Sequence, residues 1–165
     1  MNNTELNQWL KTTPSAPDIG QWMETVLKIG IEHYNLETGI ISRINHRDYT
    51  VLKFVSKIGN IVSPGDVFEL SNTYCEAVTR QHRTITYIEV GKIPEMRLHP
   101  VYQTLNLESY IGSPIKSDDG SVIGTISFSS HNARAMNFSE DEIKFIEIIA
   151  KRLGEESAQI SGQHF

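Results

Sequence analysis

Arg97, His99, Tyr102 and Tyr110 fall in one short polar stretch, RLHPVYQTLNLESYIGSPI over residues 97–115, that runs directly into an apolar segment. A guanidinium, an imidazole and two phenols are the few polar groups that orient a small molecule in an otherwise apolar pocket. Arg97 keeps its charge at ordinary pH, so a ligand it holds is a small anion or carries an acidic edge. His99 has a second reading. Pro100 pushes its backbone away from helix, and the pair starts a short helix over Val101–Leu105. Tyr74 joins the candidate ligand-binding set as a ring. Ser113 and Ser127 join it as strand hydroxyls that read equally well as outward-facing residues. Cys75 is the sole cysteine; it reads as a small buried helix residue, with a reactive thiol as the alternative. No catalytic set emerges, because no nucleophile, base and orienting group come from neighbouring positions. Histidines 33, 46, 82, 131 and 164 stand singly, and no two histidines are three or four residues apart, so no metal ligands are expected.

These residues need a scaffold, and hydrophobic periodicity supplies one. After a Pro/Ser break at TTPSAPD, Asp18 reads as an N-cap with Gln21 at N3, and Ile19, Trp22, Val26, Ile29 and His33 follow at helical spacing. From Gly39 the period changes to two: GIISRIN and YTVLKFVSK form a hairpin across HRD. Gly59 to Asp66 reads as a loop, Ser71 or Asn72 caps a helix running to about Gln81, and TITYIE is a strand. Ser109–Lys116 and Ser121–Ser130 are strands joined by SDDG, where Asp119-Gly120 suits a tight turn. The last helix is the best specified: Ser139 and Glu142 fit a capping box, and Phe138 and Ile143 a hydrophobic staple. Its apolar stripe, Ile143, Ile146, Ile149, Ala150 and Leu153 with Phe145 and Ile148 beside it, is wider than one sheet face needs. Together with Trp22 this predicts a homodimer through the terminal helices.

A chain of 165 residues supports one ordinary domain. The expected division is a flexible N-terminal segment over 1–17, a domain over 18–155, and a tail or linker start over 156–165. Twenty acidic residues against 15 basic ones, with no extended basic run, argue against nucleic acid. One cysteine, no basic-then-apolar leader and no long apolar stretch point to the cytoplasm, with no signal peptide and no membrane partner.

The order helix, hairpin, loop with small helix, strand, polar lid, hairpin, helix resembles that of GAF domains, the PAS-related small-molecule sensor modules. The residues that carry the likeness are Tyr110-Ile111-Gly112-Ser113-Pro114-Ile115, GSVIGTISF over Gly120–Phe128, and Phe138-Ser139-Glu140-Asp141-Glu142. The resemblance implies an α+β fold: an antiparallel sheet of five or six strands, terminal helices on one face, and a ligand pocket under loops on the other. It implies a non-catalytic sensory or regulatory module of bacterial signal transduction, serving an output domain or a partner protein. The ligand is unknown. Leu98-His99 stands where bilin-binding relatives carry Cys-His, so covalent bilin by that route is not expected. A ligand-free dimerisation module is one alternative. The other is a redox enzyme similar to free methionine sulfoxide reductases, for which a second thiol is missing.

Overall fold

The computed structural model describes residues 1–158. Six strands, β1 (Thr38–Asn45), β2 (Asp48–Ser56), β3 (Val67–Glu69), β4 (Ile85–Tyr87), β5 (Ser109–Lys116) and β6 (Val122–Ser130), form one antiparallel sheet in the order β3-β2-β1-β6-β5-β4. Helices α1 (Asn3–Thr12), α2 (Ile19–Tyr34) and α5 (Glu140–Glu155) cover one face, and α3 (Cys75–Gln81) and α4 (Pro100–Leu105) stand over the other. This is the expected α+β architecture, with the six-strand count at the upper end of the expectation.

The caps read from the sequence are in place. The Asp18 carboxylate accepts from Gln21 N at 3.0 Å, and Ser139 and Glu142 close a reciprocal capping box at α5. The turn between β5 and β6 uses a single left-handed residue, Gly120 at φ 86°. Asp119 instead accepts from Ser121 N with its carboxylate, which holds the loop without a second strained residue. The short helix before β4 starts at Cys75, because Thr73 stays extended after a separate 3-10 turn over Leu70–Asn72.

Two clusters of buried side chains lie on opposite faces of the sheet. The larger joins Ile41, Ile111, Ile115, Ile126 and Phe128 to Trp22, Leu27, Phe145, Ile149 and their neighbours. Complete burial of side chains of this size stabilises by about 1.5–3 kcal/mol each. The smaller cluster gathers Tyr49, Val51, Tyr74, Cys75, Val78 and Tyr110.

The N-terminal segment is a correction. Residues 3–12 are not a flexible leader but a capped helix, with the Asn2 side chain accepting from Glu5 N and with Leu6 and Leu10 buried in the larger core. Trp9 stacks on Trp22 at 6.4 Å, Arg152 donates to the Leu10 carbonyl, and Ser15 donates to Glu156 at 2.8 Å. The physical reason is the breadth of the helical surface. Phe145 is fully buried against His33 and Tyr34, Ile149 is fully buried in the core, and α1 of the same chain covers Trp22. α1 of the same chain thus covers part of the wide helical surface, while Ile143 and Ile148 of the stripe stay half-buried. Of the expected tail, Glu156 also pairs with Arg152 at 2.8 Å; residues 159–165 lie outside the described residues. Among the described residues, no helix is long and apolar enough to cross a membrane.

Candidate functional site

Between the sheet and the α3–α4 layer lies a cavity of about 180 Å³. Its floor comes from strands. On β6 the alternation T-I-S-F-S sends Ile126 and Phe128 to the helical core and leaves Ser127 and Ser129 on the cavity side. Ile40 from β1, Tyr49 and Val51 from β2, and Tyr110 from β5 complete that side. The roof and walls are Tyr74 and Cys75 at the start of α3, Val101 and Leu105 of α4, and Leu107, Val62 and Phe68. Phe68 and Leu105 are part-exposed apolar residues at its edge.

Gly112 determines how Tyr110 lies. Two residues apart on one strand, they share a face, and the phenol folds back so far that a Cβ at Gly112 would sit 2.1 Å from its oxygen. Folded this way, the Tyr110 hydroxyl meets Cys75 Sγ at 3.0 Å. Thr125 donates to the same sulfur at 3.2 Å and shares a hydrogen bond of 2.6 Å with Ser42. Tyr49 and Ser127 also interact with the thiol. The floor is therefore a buried network of hydroxyls around one sulfur.

Burial sets its electrostatics. It pushes the Cys75 thiol up, against the opposing pull of the hydrogen bonds around it. It pushes the Tyr49 and Tyr110 phenols well above their ordinary value, with the neighbouring thiol adding to the effect. Every group on the floor is thus neutral near pH 7, and no Asp, Glu, Lys, Arg or His is among the cavity's lining residues. Such a surface donates and accepts hydrogen bonds but supplies neither thiolate nor general base.

Of the eight residues expected to hold a ligand, Tyr74, Cys75, Tyr110 and Ser127 come together here. The other four do not line the cavity. Arg97 is exposed after the 3-10 turn Pro94–Met96, where its guanidinium keeps its water. His99 is the N-cap of α4: its Nδ1 accepts from Val101 N at 3.2 Å, its ring packs on Tyr74 at 5.0 Å, and burial lowers its pKa. Tyr102 donates to Glu108 Oε2 at 2.8 Å, which raises its phenol pKa. Ser113 lies on the opposite sheet face, hydrogen-bonded to Thr84 at 3.0 Å beside a groove of about 460 Å³ that Glu147 and Lys151 of α5 also line. It is an odd number of residues from Tyr110, so strand alternation turns it away.

Arg97 and His99, the expected anion-holding pair, thus stand outside this neutral cavity. His99 and Tyr102 instead shape the lid. Glu108 accepts from Gly91 N and from Tyr102, each at 2.8 Å, and Tyr74 donates to the Leu107 carbonyl at 2.9 Å. Sequence reasoning missed Tyr49, Ser42, Thr125, Ser129 and the Glu108 clamp. The alternation of Thr125, Ser127 and Ser129 with Ile126 and Phe128 was the available signal for the hydroxyl floor. Among the described residues, no group of three or more metal-ligating side chains forms a metal site.

The GAF domain family model matches residues 19–156. No curated protein matches the sequence. Among solved structures, the chain is similar to the GAF domain of an Acinetobacter phosphoenolpyruvate-protein phosphotransferase, at TM-score 0.75 and 11% identity, covering 96% of this chain and 92% of that one. It is also similar to a type II free methionine-R-sulfoxide reductase from Thermoplasma acidophilum, at TM-score 0.66 and 15% identity over 85% and 92% of the two chains. A far-red cyanobacteriochrome photoreceptor gives TM-score 0.66 at 17% identity over 95% and 93%. These likenesses establish the fold, and with the family match over most of its length the chain belongs to the GAF domain family.

Proposed function

We propose that this GAF domain is a non-catalytic sensory or regulatory module that binds a small molecule in the cavity beneath α3 and α4. Its occupancy is transmitted through the sheet to the terminal helices, and from there to an output domain or a partner protein. The observation that carries this reading is the cavity itself: apolar walls over a floor of neutral hydroxyls, under a lid in which the Tyr102 and Tyr74 hydroxyls are hydrogen-bonded to Glu108 and the Leu107 carbonyl. β6 offers the route, because Ser127 borders the cavity while Ile126 and Phe128 on either side pack into the helical core. A shift of that strand is felt on both faces.

The enzyme reading is weaker. A redox or acyl-transfer thiol attacks as the thiolate, and Cys75, the only cysteine in the chain, is buried with its pKa raised. Covalent bilin at the position of Leu98 lacks a sulfur, and Leu98 itself is largely exposed. The cavity also has room for one ring rather than the four of a bilin.

Native mass spectrometry of the protein purified from its own source, compared with its denatured mass, tests the proposal. A noncovalent adduct lost on denaturation supports it. A bare native mass, together with no thermal stabilisation by any member of a metabolite library, makes the domain a ligand-free module.

A further inference from the structure

The size and charge of the cavity restrict what fits it. A dry apolar cavity of about 150 Å³ admits benzene, and this one measures about 180 Å³. One six-membered ring with a small substituent fills it. Its walls are built for a ring, since Phe68, Tyr74 and Tyr110 present aromatic surface and Val51, Leu105 and Leu107 aliphatic surface. A charged ligand would shed its water and find no opposite charge, because the lining contains no formally charged side chain. An unsubstituted hydrocarbon ring leaves a different deficit. Tyr49, Ser127 and Ser129 line the cavity, and a hydroxyl has more hydrogen-bonding capacity than the Tyr49 and Ser127 contacts with Cys75 use, capacity that a carbon surface leaves unmet. The partly exposed Phe68 and Leu105 at the edge suit entry of an apolar compound.

We infer that the ligand is an uncharged, single-ring compound bearing one hydrogen-bonding substituent, of the phenol or benzyl alcohol class, with its ring under α4 and its substituent on the floor beside Tyr49 and Ser127. The inference rests on the sensory reading above and specifies the ligand's chemistry. Phenol stays neutral near pH 7, as a tyrosine side chain does, whereas benzoate is ionised like any carboxylate. The two have closely similar rings and differ in charge, so together they separate the neutral class from the anionic one.

The experiment is a calorimetric titration of the full chain at pH 7 with phenol, benzyl alcohol, toluene and benzoate, each on wild type and on Tyr49→Phe, with thermal unfolding of both proteins alongside. Phenol and benzyl alcohol bind and stabilise the wild type, and benzoate binds at least tenfold more weakly. Tyr49→Phe keeps the ring and removes only the hydroxyl. It weakens phenol by roughly 2- to 12-fold, the value of one net hydrogen bond, and leaves toluene unchanged or more tightly bound, because the hydroxyl that toluene covers is gone. If Tyr49→Phe does not fold, Ser127→Ala gives the same comparison from the opposite side of the floor. Benzoate binding as tightly as benzyl alcohol overturns the inference, as does equal loss of phenol and toluene in the variant. Failure of all the neutral rings at millimolar concentration also overturns it. In that case, an adduct in the native mass of the source protein still sustains the sensory reading with another ligand class, whereas a bare mass removes both.

Discussion

Replacing Gly112 by alanine tests the arrangement on which the cavity floor depends. On an ordinary strand the change is neutral or favourable, because alanine lowers the entropy of the unfolded chain by an amount worth about 0.4–1 kcal/mol. Here the new methyl carbon would stand 2.1 Å from the Tyr110 hydroxyl oxygen and 2.5 Å from its ring carbon, inside any contact a packed Cβ tolerates. The phenol is 3% exposed, so it has no solvent to swing into. It moves toward the cavity and leaves Cys75 Sγ, to which it is bonded at 3.0 Å. Overpacking costs about 1–3 kcal/mol, and the lost hydrogen bond about 0.5–1.5 kcal/mol. The net expectation, after the alanine gain is subtracted, is a destabilisation of roughly 0.5–4 kcal/mol, or a fall in melting temperature of about 1–16 °C for a domain of this length. The control is the same substitution in a Tyr110→Leu background. There the coupling disappears and Gly112→Ala becomes neutral or stabilising. Thermal and urea unfolding of the four proteins completes the cycle. A wild-type background in which Gly112→Ala stabilises would refute the folded-back phenol, and with it the geometry of the floor.

Leu6→Ala is expected to cost about 2–5 kcal/mol in urea unfolding, since Leu6 is 1% exposed in the core; a change below about 0.5 kcal/mol would restore the flexible N-terminal segment. Burial lowers the His99 pKa from 6.5, so below that value the unfolded chain binds more protons than the folded one and stability falls as the pH drops. His99→Asn keeps a helix-capping side chain without the titration and should flatten the unfolding midpoint between pH 7.5 and about 5.5. Identical slopes in the two proteins would dismiss His99 as the source, leaving His33, whose pKa burial also lowers. Cys75 should resist a thiol reagent in the native protein and react fully on unfolding. Rapid stoichiometric labelling at pH 7 would reopen the enzyme reading.

The terminal caps, the β5–β6 hairpin and the sheet class were legible because each depends on residues close in sequence. Ser139 and Glu142 are three apart, and strand alternation needs only a short window. α1 was legible in principle. Leu6, Trp9, Leu10 and Thr13 repeat at helical spacing after Asn2, but the Pro14–Pro17 break drew the boundary in front of α2 and left that signal unused. α1 also bears on the homodimer expectation, because it covers Trp22 and leaves Ile148 half-buried as what remains of the proposed interface.

The site was less legible because its most distinctive side chains are not the ones whose strand phase turns them toward the cavity. Arg97 and His99 carry the most distinctive groups in the lid, yet a charged head on a loop faces water and an X-Pro histidine caps a helix, so neither enters the cavity. The phase of β5 already separated Tyr110 from Ser113. The phase of β6 already grouped Thr125, Ser127 and Ser129 on one face, with Ile126 and Phe128 on the other. What no local pattern reveals is the height of the lid, because Glu108 sets it by holding Gly91 and Tyr102 together across the chain. That height leaves space above the hydroxyls instead of packed side chains. β6 is therefore where sequence and function meet most directly: one of its faces borders the cavity, the other is anchored in the helical core, and whatever moves the first must be accommodated by the second.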